Sequence, residues 1–231
     1  ANIGLKNNIG CNAVWIAAGY NRVSVLEYLI DTMQEKRDDI FELLCEPNSS
    51  GDTALIAASS KGHARACEVL LDCIFKVNGA SSETTSEIYK KSYEVLCAEN
   101  KGGDTALAVA IGGGYEGPLL NLLLDAEVKC ISSLKETGEE NTTTRPLHRR
   151  SSKGLTPLLV ACERGHTNIV KELIQRGVEP RADSNGRSPL AVAAFCGCTE
   201  VVEYLLSIDM GKALIDEPDD AGCTPLWLAA R

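Results

Sequence analysis

The chain has 231 residues and a formal net charge of −9, with 44 % hydrophobic and only 5 % aromatic residues. That hydrophobic share excludes wholesale disorder, and the shortage of rings leaves Ala and Leu to build a core of thin, closely approaching helices rather than a sandwich or barrel. The acidic balance argues against a general nucleic-acid binder, which carries a basic footprint.

In chain order, one nine-residue pattern returns six times: GCNAVWIAA at 10–18, GDTALIAAS at 51–59, GDTALAVAI at 103–111, GLTPLLVAC at 154–162, GRSPLAVAA at 186–194 and GCTPLWLAA at 222–230. Each predicts a short helix opened by a capping residue, namely Asn12, Thr53, Thr105, Thr156, Ser188 and Thr224. A turn follows each of the first five, at Asn21-Arg22, Gly62-His63, Gly114-Tyr115, Gly165-His166 and Gly197-Cys198. Then comes a second apolar run with helical spacing, as in Ile169-Val170 to Leu173-Ile174 and Val201-Val202 to Leu205-Leu206. Asn or Asp opens five units, at Asn7, Asn48, Asn100, Asp183 and Asp219, and Ser151 opens the remaining one.

Each position has a physical reason. Asn or Asp followed by Gly builds a tight turn, because Gly accepts positive φ and the carboxamide or carboxylate bonds its own backbone. Pro in the first turn of a helix forfeits no hydrogen bond, and Ala-Ala keeps the helix thin enough for a neighbour to approach. Repetition with this chemistry resembles the ankyrin repeat, with its Thr-Pro-Leu-His-x-Ala signature and period of about 33 residues. The likeness is closest across Gly154–Gly177. The family's His is replaced by Trp15, Ile56, Ala108, Leu159, Ala191 and Trp227. The resemblance implies an all-α, ankyrin-type helical solenoid of stacked helix-turn-helix repeats with inserted helices and loops. It covers 1–231 as one domain, with units at about 7–47, 48–99, 100–150, 151–182, 183–218 and a partial 219–231. The start at Ala1 and the end at Arg231, just inside the sixth unit's first helix, read as part of a longer chain.

The caps are separated by 41, 52, 51, 32 and 36 residues, so the surplus sits mainly in three insertions. The first, around Asp31–Cys45, carries Ile40, Phe41, Leu43 and Leu44; the second, around Ser81–Cys97, carries Ile88, Tyr89, Tyr93, Val95 and Leu96. Both are expected to be prolonged or extra helices beyond the second helix, packed on the outer face. The third, about Thr137–Arg150, is polar and reads as a flexible loop.

Three motifs invite chemistry and yield to the repeat register. The G-x-G-x-x-G match at Gly112–Gly117 falls where every unit has its turn, so a phosphate loop is not expected. Cys162 and His166 stand four apart, but they occupy the small-residue and turn positions of their unit. The Cys196-Gly197-Cys198 pair has the same explanation, and Cys67 falls on a buried apolar position. No catalytic residue, metal site or cofactor is expected. The ten cysteines show no C-x-x-C spacing and read as reduced thiols, which points to a cytoplasmic or nuclear protein. The sequons at Asn48 and Asn141 are three-residue matches of little weight, and no apolar run is long enough for a membrane helix.

Charge placement supplies the interaction candidates. Between Arg145 and Arg187 stand nine basic residues and four acids, a local +5 that leaves −14 for the rest. In the ankyrin resemblance, turn tips and the end of the first helix line the concave, partner-facing side, and Lys153, Leu155, Arg164, Arg187 and Phe195 match such positions. They suggest docking of a protein partner with an acidic surface. Arg149-Arg150-Ser151-Ser152 resembles a basophilic kinase substrate, with Ser152 the acceptor. The resulting reading is a non-catalytic protein-interaction scaffold. Its alternatives are the substrate-recruiting segment of a multidomain ligase or kinase, and a structural component of a cytoskeletal assembly. The sequence fixes no oligomeric state.

Overall fold

Every one of the six capping side chains accepts a hydrogen bond from the backbone N–H three residues on: Asn12 from Trp15 (2.8 Å), Thr53 from Ile56 (3.3 Å), Thr105 from Ala108 (3.2 Å), Thr156 from Leu159 (3.3 Å), Ser188 from Ala191 (3.2 Å) and Thr224 from Trp227 (3.4 Å). The computed structural model describes residues 4–36, 40–76, 85–136 and 154–231. Among them it has fourteen helices and no strand, so the protein is all-α. The third insertion at Thr137–Arg150, together with Ser151, Ser152 and Lys153, lies outside the described residues. Contacts divide the chain into two compact units, Ala1–Thr143 and Thr144–Arg231.

The first unit holds α1 (Ala13–Gly19), α2 (Val23–Lys36), α3 (Ile40–Cys45), α4 (Ala54–Ser59), α5 (Ala64–Lys76), α6 (Thr85–Leu96), α7 (Ala106–Gly112) and α8 (Pro118–Glu136). The short helices α1, α4 and α7 stack into an inner layer, with α2, α5 and α8 stacked behind them as an outer layer. Buried Ala17, Ala18, Ala57 and Ala58 allow the close stacking, and Leu26, Leu70, Ile74, Leu123 and Leu124 fill the space between layers. In the turn before each of these inner helices, an Asn side chain takes two backbone N–H groups; Asn48 Oδ1 accepts from Ser50 (2.8 Å) and Asp52 (2.9 Å). Successive turns are tied together, since Ser49 N donates to Ile9 O and Lys101 N to Ser50 O, both at 3.0 Å. Gly51 is forced at that junction: its φ is +84°, and a Cβ would stand 2.7 Å from Lys101 N.

The first two insertions are both prolonged and extra helices. The outer helices α2 and α5 run to 14 and 13 residues, and α3 and α6 follow them. Helix α6 lies on α5 and α8. Helix α3 sits deeper than an outer-face placement, because buried Ile40, Phe41 and Leu44 seat it against α1 and α4 as well as α2. The third surplus also begins inside a helix, since α8 reaches 19 residues and ends at Glu136. Cys130, in its added turns, is fully buried, and α6 packs on this helix.

The second unit holds α9 (Pro157–Arg164), α10 (Thr167–Gln175), α11 (Pro189–Phe195), α12 (Thr199–Ser207), α13 (Asp209–Ala213) and α14 (Pro225–Ala229). Here α9, α11 and α14 form the inner layer, and each carries Pro in its first turn. Helices α10 and α12, nine residues each, form the outer layer through Ile169, Val170, Leu173, Val201 and Leu205. The small surplus of the fifth repeat is taken up by α13, where a Cβ on Gly211 would overlap the Leu205 carbonyl.

Candidate interaction surface

The repeat register brings the candidate residues of the second unit into rungs. Leu155 and Arg187 each directly follow the glycine at a turn tip, and Arg164 and Cys196 each stand at the end of an inner helix. Leu155 is half-buried, whereas Arg164 and Phe195 are exposed. Lys153 and Ser152 lie outside the described residues.

Arg187 is held from below. Asp183, whose side chain is only 1 % exposed, accepts from Arg187 Nε at 2.8 Å and Nη2 at 2.7 Å through one oxygen. Its other oxygen accepts the backbone N–H groups of Asn185 (2.8 Å) and Arg187 (2.9 Å). The same residue therefore shapes the turn and aims the guanidinium. That guanidinium lies 5.7 Å from the centre of the Phe195 ring, within cation–π range, and Phe195 remains 49 % exposed. Arg164 and Arg187 both favour the thiolate of the exposed Cys196 electrostatically. Burial, Cys198 and Glu163 outweigh them, so the thiol is pushed up rather than activated.

The basic segment is less free than its count implies. Of its described members, Arg176 pairs with Glu172 at 2.7 Å, Arg181 with Glu179 at 3.2 Å and Arg187 with Asp183. Lys171 lies over the Tyr204 ring at 5.4 Å. Arg164 is exposed and has no acid within ion-pair distance among the described residues.

Corresponding positions of the first unit form a ladder that the sequence reading passed over. Lys61 donates to Gly19 O at 2.8 Å and lies 4.5 Å from the ring centre of Tyr20, its equivalent in the preceding repeat. The Tyr115 ring covers Gly62 and Gly113, and its hydroxyl donates to Ser60 O at 3.3 Å. Aligning the ends of the inner helices would have put Tyr20 next to Lys61. At the family's His position, Trp15 donates its indole N–H to Asp52 O at 2.9 Å and so links the first repeat to the second.

The motifs with chemical promise have structural roles. Gly112–Gly117 spans the end of α7 and the turn into α8, with no strand before it. The ten cysteines are free thiols. Burial pushes Cys67 up to about 11 and Cys130 to about 12, and raises fully buried Cys162 as well. Among the described residues no group of three or more His, Cys, Asp or Glu could hold a metal ion, and no helix is long and apolar enough to cross a membrane.

Comparison with known proteins agrees with this architecture. The family model described as ankyrin repeats (3 copies) matches residues 1–81 and 127–212, more than half of the chain. Ankyrin repeat domain-containing protein 63 of Homo sapiens is 43 % identical over 83 residues, which cover 35 % of this chain and 22 % of that protein. The Mus musculus protein of the same name is also 43 % identical over 83 residues, 35 % of this chain and 21 % of that one. Tyrosine-protein kinase HTK16 of Hydra vulgaris is 32 % identical over 110 residues, 47 % of this chain and 14 % of that protein. The matches thus span about a fifth or less of these relatives' own length. The repeated caps, the tied turns and the two helical layers, together with the family match, make this chain a member of the ankyrin-repeat family.

Proposed function

We propose that the chain is a non-catalytic scaffold that binds a protein partner through the turn tips and inner-helix ends of its repeats. Ankyrin repeats are in general protein-interaction modules, and a stack of helix pairs offers an extended surface. The observation that carries the reading is the half-exposed Phe195 ring beneath the pinned Arg187, with exposed Arg164 nearby. Arg and aromatic residues are the side chains most often decisive at protein interfaces. Lys153 and Leu155 belong to the same proposed surface, the whole of 1–231 is taken as one repeat domain, and Ser152 is its proposed phosphorylation site. A net charge of −9 favours a protein over a nucleic acid as partner, and the free thiols fit a cytoplasmic or nuclear setting.

The test is quantitative capture from native cells with the wild-type chain and the Lys153→Glu/Arg164→Glu variant, after matching their melting curves. The reading expects at least one stoichiometric protein to be lost from the variant. Equal recovery of every captured protein contradicts it. A second reading, a recruiting segment within a larger enzyme, is favoured by the match to a protein named as a tyrosine kinase. Sequencing the full transcript separates the two, because an enzyme domain in the same reading frame supports the second.

A further inference from the structure

We propose that Arg164, Arg187 and Phe195 form a composite reader for an extended acidic peptide that carries an apolar side chain beside its carboxylate. The inference rests on the reading of the array as an interaction module and names what this part of it recognises. Three features of the surface select that chemistry.

Asp183 takes one N–H each from Nε and Nη2 of Arg187. A guanidinium has five N–H donors, so the Nη1 side of the fork stays available for an incoming carboxylate. Because buried Asp183 already fixes the fork, little side-chain entropy is lost on binding. Phe195 lies under that fork and is 49 % exposed, giving a flat apolar seat next to the donors. Arg164 is exposed and lacks an acid partner among the described residues, and the end of its helix meets the turn after Phe195, where the Cys198 thiol reaches Glu163 O at 3.7 Å. Asp183 largely neutralises Arg187, so Arg164, next to the exposed Glu163, provides the unpaired cation and Arg187 the directional donors. A basic segment would meet Arg164 with like charge, and an uncharged apolar one would leave the fork unused. A carboxylate and an aliphatic or aromatic group a few residues apart satisfy all three.

The test uses the full chain and synthetic ten-residue peptide pools. In the first pool one Glu and one Leu or Phe are fixed one to four residues apart and the other positions are random. In the second Glu is replaced by Lys, and in the third the apolar residue is replaced by Ser. Fluorescence anisotropy should show the first pool binding about tenfold more tightly than either control. Arg164→Glu and Phe195→Ala, both at exposed positions, should each remove about tenfold of that affinity, and Arg164→Lys should retain most of it. Lys61→Glu in the first unit should leave it unchanged. Equal binding of the three pools, or preference for the Lys pool, overturns the inference. Tight binding of the first pool that survives Arg164→Glu and Phe195→Ala also overturns it, yet leaves the array standing as an interaction module. Loss of binding in Phe195→Ala counts only with an unchanged melting temperature and with Arg164→Glu giving the same loss.

Discussion

Asp183 does at residue scale what most of the chain does by repetition. Its carboxylate closes a turn through two backbone N–H groups and holds the Arg187 fork, all from a buried position. Removing it leaves a partly buried guanidinium and two amides without their acceptor. Asp183→Ala should therefore lower the unfolding free energy by about 2–3 kcal/mol in urea titration, whereas Asp183→Asn, which keeps an acceptor for the turn, should cost less. The buried thiols give a pH prediction. Burial holds Cys67 at about 11 against 9.0 for a free thiol, so between those values the unfolded chain releases a proton that the folded chain keeps. This contribution is fully present below pH 9 and is lost as pH rises through 11, at about 1.4 kcal/mol per pH unit for one thiol. Cys67→Ala should flatten that part of the stability profile measured by chemical denaturation.

At the scale of elements, the inserted helices are structural members of the first unit. Val95 and Leu96 bury α6 against its neighbours, and the lengthened α8 gains its cover from α6. Leu96→Ala should cost about 2–4 kcal/mol and speed amide exchange in α8 from Ala126 to Cys130 more than in α7. Gly51→Ala, with a left-handed φ and Lys101 N in the way, should destabilise by about 1–2 kcal/mol or more. The caps, turns and inner helices were legible in the sequence because each depends on residues within a few positions, as Thr53 does on Ile56. The length of α8 was not, since this helix packs on α6, an element distant in sequence. The seat of α3 against α1 and α4 was hidden for the same reason. At the proposed surface, Arg164 and Phe195 could be read from register alone. The i to i+4 spacing of Asp183 and Arg187 was visible too, but burial of the carboxylate, which turns spacing into a pinned fork, comes from packing.

For the whole molecule, the net −9 is an average over surfaces with different duties. Much of the basic segment's described charge is matched by acids one turn or so away, which leaves shape and a few exposed groups to choose a partner. The inner-helix ends and turn tips carry Phe195 and Arg164, while the outer helices α10 and α12 bury their apolar face in the unit's own core. Ordered function along one side is the central claim, and it can be read directly by hydrogen exchange of the full chain with and without a captured partner or a binding acidic–apolar peptide. The account predicts slowed exchange at the end of α9, in the turn at 183–187 and around 195–198, with α10 and α12 unchanged. Protection confined to α10, α12 or the inserted helices α3 and α6 would contradict it.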